Sequence, residues 1–177
     1  MLTASAPVSR PLNTWIIDRL RLQPYQHVLE VGVGTGRRLE EAARTLRIGF
    51  LAGVEPSAPL YQQAYRRNKR YIARQLMQLH LGELPDLPYP PHYFHTVFTT
   101  SAILFSKYPA LELLRLTRLL TSGGRLVLFL QPKSGNTDTP IPTFIQQHYL
   151  SAALPRPEIE TYSGTYNSPL AITVITD

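Results

Sequence analysis

Val28-Leu29-Glu30-Val31-Gly32-Val33-Gly34-Thr35-Gly36 is the stretch on which the reading of this chain turns. An apolar run of strand length stops in three alternate glycines, and residues 35–46 then carry Leu39, Ala42, Ala43 and Leu46 at helical spacing. Glycines between a strand and a helix let the backbone bend sharply and let a ligand approach the helix N-terminus with no side chain in the way. The spacing is Gly-x-Gly-x-Gly; the third glycine of the dinucleotide fingerprint Gly-x-Gly-x-x-Gly would fall on Arg37. Glu30, two residues before the first glycine, would repel a buried pyrophosphate and attract a cation.

Away from this loop, apolar runs and helical stretches alternate, the pattern of βαβ units around a parallel sheet. Residues 11–22 space Leu12, Trp15, Ile16 and Leu20 as a helix, and 27–31 form the first strand. Residues 48–54 are a second, buried strand; a helix runs from Ser57 to near Arg70, and a third strand spans 75–81. Pro85, Pro88, Pro90 and Pro91 make 82–92 a loop. Residues 94–100 are the fourth strand, and a helix over 109–120 is closed by a glycine turn, Thr121-Ser122-Gly123-Gly124, before a fifth strand at 126–130. A polar loop (131–140), a helix (142–153) and strands at 158–162 and 170–176 follow. The seven residues between these last strands suit an antiparallel hairpin, because a parallel crossover needs about a dozen or more. The expected fold is α/β: a doubly wound, Rossmann-like sheet of five parallel strands plus a C-terminal antiparallel hairpin, with helices on both faces. Residues 1–177 form a single domain in this reading, with 1–26 as an N-terminal helical segment.

Composition narrows the function. A chain of 177 residues, 44% hydrophobic and 17% charged, can bury one core and is neither disordered nor fibrous. The absence of cysteine excludes disulfides, thiolate metal sites and cysteine nucleophiles. A net charge of +6, with 3 Lys and 15 Arg making up the 18 cations, admits nucleic acid, anionic lipid or an acidic small molecule without choosing among them. Residues 1–10 lack the pattern of a secretory leader, and no apolar run approaches the ~20 residues of a membrane span. A soluble, cytoplasmic protein is expected.

Glu55, 19 residues after Gly36, closes the second strand. Ligands of doubly wound sheets sit outside the carboxyl ends of the strands where the strand order reverses, so Glu30 and Glu55 share one crevice. Two carboxylate oxygens match the two donors of a ribose diol. Glu83, just after the third strand, is a further acid on the same edge. Three acids and a glycine loop fit a ligand with an ammonium, a ribose and an amino-purine.

Four segments in order resemble the class I S-adenosylmethionine-dependent methyltransferases, most of all those that methylate metabolites and lipids, and the likeness runs from about Pro11 to Asp177. They are Glu30 to Gly36; Glu55-Pro56-Ser57; Gly82 to Tyr89 continuing into Phe94-His95-Thr96-Val97; and Leu116 to Leu130, with Arg118 and Gly123-Gly124. The resemblance implies that Glu30 lies near the cofactor's amino group and that the backbone of Gly32, Gly34 and Gly36 follows its methionine part. It further implies that Glu55 holds the ribose hydroxyls, Pro56 packs on the adenine, and Glu83 with the Leu84 backbone addresses the adenine edge. Thr99 and Thr100 would lie nearest the methionine carboxylate and the transferable methyl.

The implied reaction is an in-line methyl transfer to a small molecule or lipid, with no catalytic base identified. Lack of cysteine removes arsenite and cytosine carbon-5 methylation, and the missing Asp/Asn-Pro-Pro-Tyr motif disfavours adenine N6 and glutamine as acceptors. Two alternatives stand beside it: an RNA methyltransferase using the basic helix end of Arg66, Arg67, Lys69 and Arg70, and a non-catalytic cofactor-binding module. The first of these is disfavoured because such a cluster usually is a solvated helix end. About 26 residues precede the first strand, so the acceptor lid is small, and the pocket is either shallow and open or completed by a second subunit in a homodimer. His95 replaces the family's aspartate, but at ~3.3 Å per residue it lies roughly 16 Å from Thr100 and reads as structural. His92 and His95 face opposite ways and lack a third ligand, so no metal is expected. Trp15 reads as a core or pocket-wall residue; nothing places His148 or Tyr108.

Overall fold

A computed structural model of the chain describes residues 10–47, 49–100, 108–130, 158–161 and 170–175. Its elements are α1 (Arg10–Leu20), β1 (His27–Val31), α2 (Arg37–Ala42), β2 (Phe50–Glu55), α3 (Ala58–Ala73), β3 (Met77–Leu81), a 3₁₀ turn (Leu84–Asp86), β4 (Phe94–Thr100), α4 (Pro109–Arg118), β5 (Leu120–Leu130), β6 (Glu158–Thr161) and β7 (Leu170–Ile175). The strands form one sheet in the order β3-β2-β1-β4-β5-β7-β6. The first five strands are parallel. β7 pairs antiparallel with β5 and with β6; residues 162–169, which would join β6 to β7, lie outside the described residues, as do the expected loop and helix over 131–153 and the end of the last strand at Thr176.

Alternation along the strands sorts the core into two layers. Val28, Leu51, Met77, Phe98, Val127 and Phe129 pack with α1, α2 and α3 through Leu12, Ile16, Leu20, Leu39 and Ala64. Leu29, Ala52, Val97, Leu126 and Leu128 face the other way, onto Leu113 and Leu116 of α4. Burial on both faces is why the strands read as nearly unbroken apolar runs. Glu30 follows Val28 by two residues and therefore lies on the α1–α3 side. The chain steps from β1 to β2 to β3 and then returns to β4 on the other flank of β1, which places the reversal of strand order between β1 and β4.

One expectation is corrected. Thr121 to Gly124 is not a turn between helix and strand but a bulge within β5: Phe94 pairs with Leu120, and the next pair is Thr96 with Arg125. The helix ends earlier, with Leu119 N–H on Leu116 O at 3.2 Å. Just past the bulge, Arg125 Nη1 donates to Leu20 O at 2.7 Å and Nη2 to Arg19 O at 3.4 Å, fastening the last carbonyls of α1. At the same end of β4, His95 Nδ1 accepts the His27 backbone N–H at 3.0 Å, a structural bond between β1 and β4.

Candidate functional site

Hydrogen bonds shape the glycine loop at each step. Gly32 and Val33 both donate to Val54 O, at 2.9 and 3.2 Å, so the loop leaves β1 tied to β2. Gly36, at φ +74°, is buried against α3; a Cβ there would stand 2.6 Å from Asn68 Nδ2 and 2.8 Å from Ala64 Cα. The Asn68 amide uses that closeness, donating to Gly36 O and to Ala64 O at 3.0 Å each. Gly34 is the reverse case. At φ +58°, a Cβ on it would meet nothing within 4 Å among the described residues, so toward them this glycine borders open space.

Glu55 knits that loop to the next helix. It is buried, with Oε2 accepting the Gly34 N–H at 2.8 Å and Oε1 the Ser57 N–H at 2.9 Å. Each oxygen keeps a lone pair beyond these bonds. Glu30 is fully buried, and Arg38 Nε donates to its Oε1 at 2.6 Å. Among the described residues its Oε2 has no partner. Burial pushes the Glu30 carboxyl up to about 7 against the pull of Arg38, and nearby Glu55 adds to the rise.

The remaining expected residues are placed as follows. Thr99 stands beside Val31 in register; it is fully buried, and among the described residues its Oγ1 has no partner. Thr100 is half-buried and Pro56 is exposed. Leu81 pairs with Glu55, and Gly82 N–H donates to Glu55 O at 3.2 Å, so Glu83 starts from the same sheet edge. Glu83 is exposed, its N–H on Asp86 Oδ2 at 3.2 Å, while Leu84 is buried. Trp15 packs edge-on against Phe129 with ring centres 5.8 Å apart. Tyr108 is exposed beside α4, and His148 lies outside the described residues. Among the described residues, no group of three His, Asp or Glu is arranged to hold a metal.

Sequence reasoning missed Arg38. It treated Glu30 as an unanswered charge, whereas a cation eight residues later returns from the first turn of α2 to meet it. The available signal was a buried-looking acid on a strand followed by a cation near the start of the adjoining helix. Arg67, read as part of a solvated helix end, also contributes, its Nε donating to Thr35 O of the loop at 3.0 Å.

The polar capacity left over fits a nucleoside carrying an amino-acid group: Glu30 Oε2, the spare lone pairs of Glu55, the space at Gly34, the exposed face of Pro56 and Thr99 Oγ1. The doubly wound fold, with this unspent polar capacity at its strand reversal, is of the class that suits a nucleoside cofactor. Residues 29–128, more than half of the chain, match the family model described as a methyltransferase domain, and the chain belongs to that family as a class I S-adenosylmethionine-dependent methyltransferase.

It is 23% identical over 146 residues to Bacillus subtilis (strain 168) YrhH, whose name assigns it provisionally to the methyltransferases; the match covers 80% of this chain and 78% of the relative. A demethylmenaquinone methyltransferase of Symbiobacterium thermophilum is 30% identical over 112 residues, covering 63% of this chain and 45% of that protein. Among solved structures, the [4+2]-cyclase SpnF superposes with TM-score 0.78 at 15% identity, covering 99% of this chain and 84% of that one. Likeness at that identity concerns the fold alone.

Proposed function

We propose that this methyltransferase acts on a small molecule or a lipid, and that the crevice between β1, β2 and β4 is where S-adenosylmethionine binds. The observation that carries the assignment is the pair of buried carboxylates, Glu30 and Glu55, on either side of the open space at Gly34. In this reading Glu30 receives the amino group and the backbone of Gly32, Gly34 and Gly36 follows the methionine part. Glu55 takes the ribose diol, Pro56 covers the adenine, and Glu83 with the Leu84 backbone meets its edge. Thr99 and Thr100 stand nearest the methionine carboxylate and the methyl. The chain 1–177 is one binding unit whose β6 and β7 close as a hairpin.

When bound, S-adenosylmethionine supplies a methyl group on a sulfonium, ready for in-line displacement. The protein's share is to orient the acceptor and exclude water. Buried Thr99 and the apolar floor of β1 and β4 keep the inner end of the crevice dry. The small-molecule reading of the acceptor draws support from names among the similar proteins, a demethylmenaquinone methyltransferase and a geranyl diphosphate C-methyltransferase.

Calorimetric titration with S-adenosylmethionine, S-adenosylhomocysteine and NAD tests the site: both adenosyl ligands bind, NAD does not, and Glu55→Ala abolishes binding. Transfer of labelled methyl to quinols, isoprenoid diphosphates or phospholipids then tests the acceptor class. Transfer to RNA alone would overturn it.

One observation favours RNA as a second reading. Residues 37–74 hold nine Lys and Arg against three Glu, a net +6 equal to that of the whole chain. Arg37, Arg44, Arg47, Arg66, Lys69 and Arg74 are exposed on α2, α3 and their ends. RNA binding at this face would weaken with salt, and replacing Arg66 and Arg74 would lower the salt slope by about 2.

A further inference from the structure

The buried pair of Glu30 and Arg38 leaves unused bonding capacity on both members. Oε1 of Glu30 is taken by Arg38, while the buried Oε2 has no hydrogen-bond partner among the described residues. Arg38 spends Nε on Glu30 and one Nη2 N–H on Gly32 O at 3.3 Å. Among the described residues Nε and Nη2 make all the hydrogen bonds of Arg38, leaving Nη1 over, and the side chain is 11% exposed where that of Glu30 is 0%. Glu30 and Gly32 stand at the end of β1 and the start of the glycine loop, so both leftover groups lie beside the segment to which the cofactor is assigned.

Withdrawing two charges from water costs more than their attraction returns unless their other polar atoms are also satisfied. Oε2 is the buried atom left over, while the partly exposed guanidinium can still take an acceptor, so a ligand that answers both brings a donor and an acceptor close together. An ammonium alone leaves the guanidinium unanswered, and a carboxylate alone leaves Oε2 unanswered. An α-amino acid carries both on one carbon.

We infer that Arg38 is a cofactor-binding residue which, paired with Glu30 and alongside Thr99 and Thr100, reads the amino-acid end of the ligand: the guanidinium bonds the carboxylate and Glu30 Oε2 takes the ammonium. The assignment rests on the reading of this crevice as the S-adenosylmethionine site. It adds a residue to which neither the glycine motif nor the acidic strand ends assign a role. It also makes the crevice selective, rejecting adenosyl thioethers that lack the amino-acid group.

Titrating S-adenosylhomocysteine and 5′-methylthioadenosine, which share a thioadenosine and differ in the amino-acid end, measures that selectivity. Wild type binds the first far more tightly. Arg38→Met weakens S-adenosylhomocysteine by roughly 10- to 100-fold, the range for losing a hydrogen bond to a charged group, and changes 5′-methylthioadenosine by less than about threefold on the same scale. Arg38→Lys restores part of the loss. Should Arg38→Met fail to fold because Glu30 is stranded, the double variant Glu30→Gln, Arg38→Met removes both charges, and it binds the two ligands with nearly equal affinity. Equal weakening of both ligands in Arg38→Met, or an unchanged preference in either variant, overturns the role of Arg38 alone. A well-folded wild type that binds neither ligand overturns the underlying site assignment as well.

Discussion

At the scale of single residues, Glu30 is a carboxyl group withdrawn from water and only half answered by its arginine. An unfolded glutamate releases its proton near 4.5, whereas the folded one holds it up to about 7. Between those values the folded state binds more protons, so this group favours folding fully below 4.5 and that advantage is lost as pH rises through 7. Glu30→Gln keeps the protonated shape at every pH. Its stability relative to wild type therefore rises, by on the order of 3 kcal/mol between about pH 5 and about pH 8; urea titrations at the two pH values measure the change, and a flat difference would refute the buried-acid account. The two glycines separate stability from binding. Gly36→Ala meets α3 and loses about 2 to 5 kcal/mol from left-handed strain and overpacking, while Gly34→Ala loses only about 1 to 2 kcal/mol yet weakens S-adenosylhomocysteine. Thermal melts and titrations on both variants check the contrast. Glu30, Glu55 and the glycines were legible because ligand contact ties them to fixed spacing. Arg38 was not, because its position on α2 is that of any solvated helical cation; only the turn of the loop brings it back over β1.

At the scale of elements, β1, β2, β4, α3 and α4 were legible from apolar period and prolines, and their ends moved by a few residues. Thr121 to Gly124 was misread for a physical reason. A glycine pair after a leucine-rich helix carries the same local signal whether it caps the helix or bulges a strand, and the choice is made by β4, whose Phe94 already pairs with Leu120. The bulge sets the position of Arg125. Its guanidinium reaches the last carbonyls of α1, where a helix concentrates negative partial charge. Arg125→Met leaves Leu20 O without this donor and costs about 1.5 to 3 kcal/mol, read as a lower denaturation midpoint with an unchanged slope. An unaltered midpoint would mean the bond contributes nothing net.

At the scale of the whole molecule, the parallel order and the crevice at its reversal followed from the alternation of strands and helices, but which elements close the core did not. That closure joins the two ends of the described parallel unit. Leu12, Ile16 and Leu20 of α1 share one core with Val127 and Phe129 of β5. Burying three such side chains contributes about 4.5 to 9 kcal/mol, comparable to the net stability of a domain. A chain beginning at residue 21 is therefore expected to show no cooperative unfolding transition by circular dichroism; a transition within about 2 kcal/mol of the full chain would contradict this packing account. The bond from Arg125 to Leu20 O spans 105 residues. On the ribosome, at roughly 5 to 20 residues per second, α1 waits about 5 to 20 s for the strand it docks on. During that interval Leu12, Trp15, Ile16 and Leu20 lack the part of their native cover that Val127 and Phe129 supply, which makes α1 a binding site for chaperones until translation has passed Phe129.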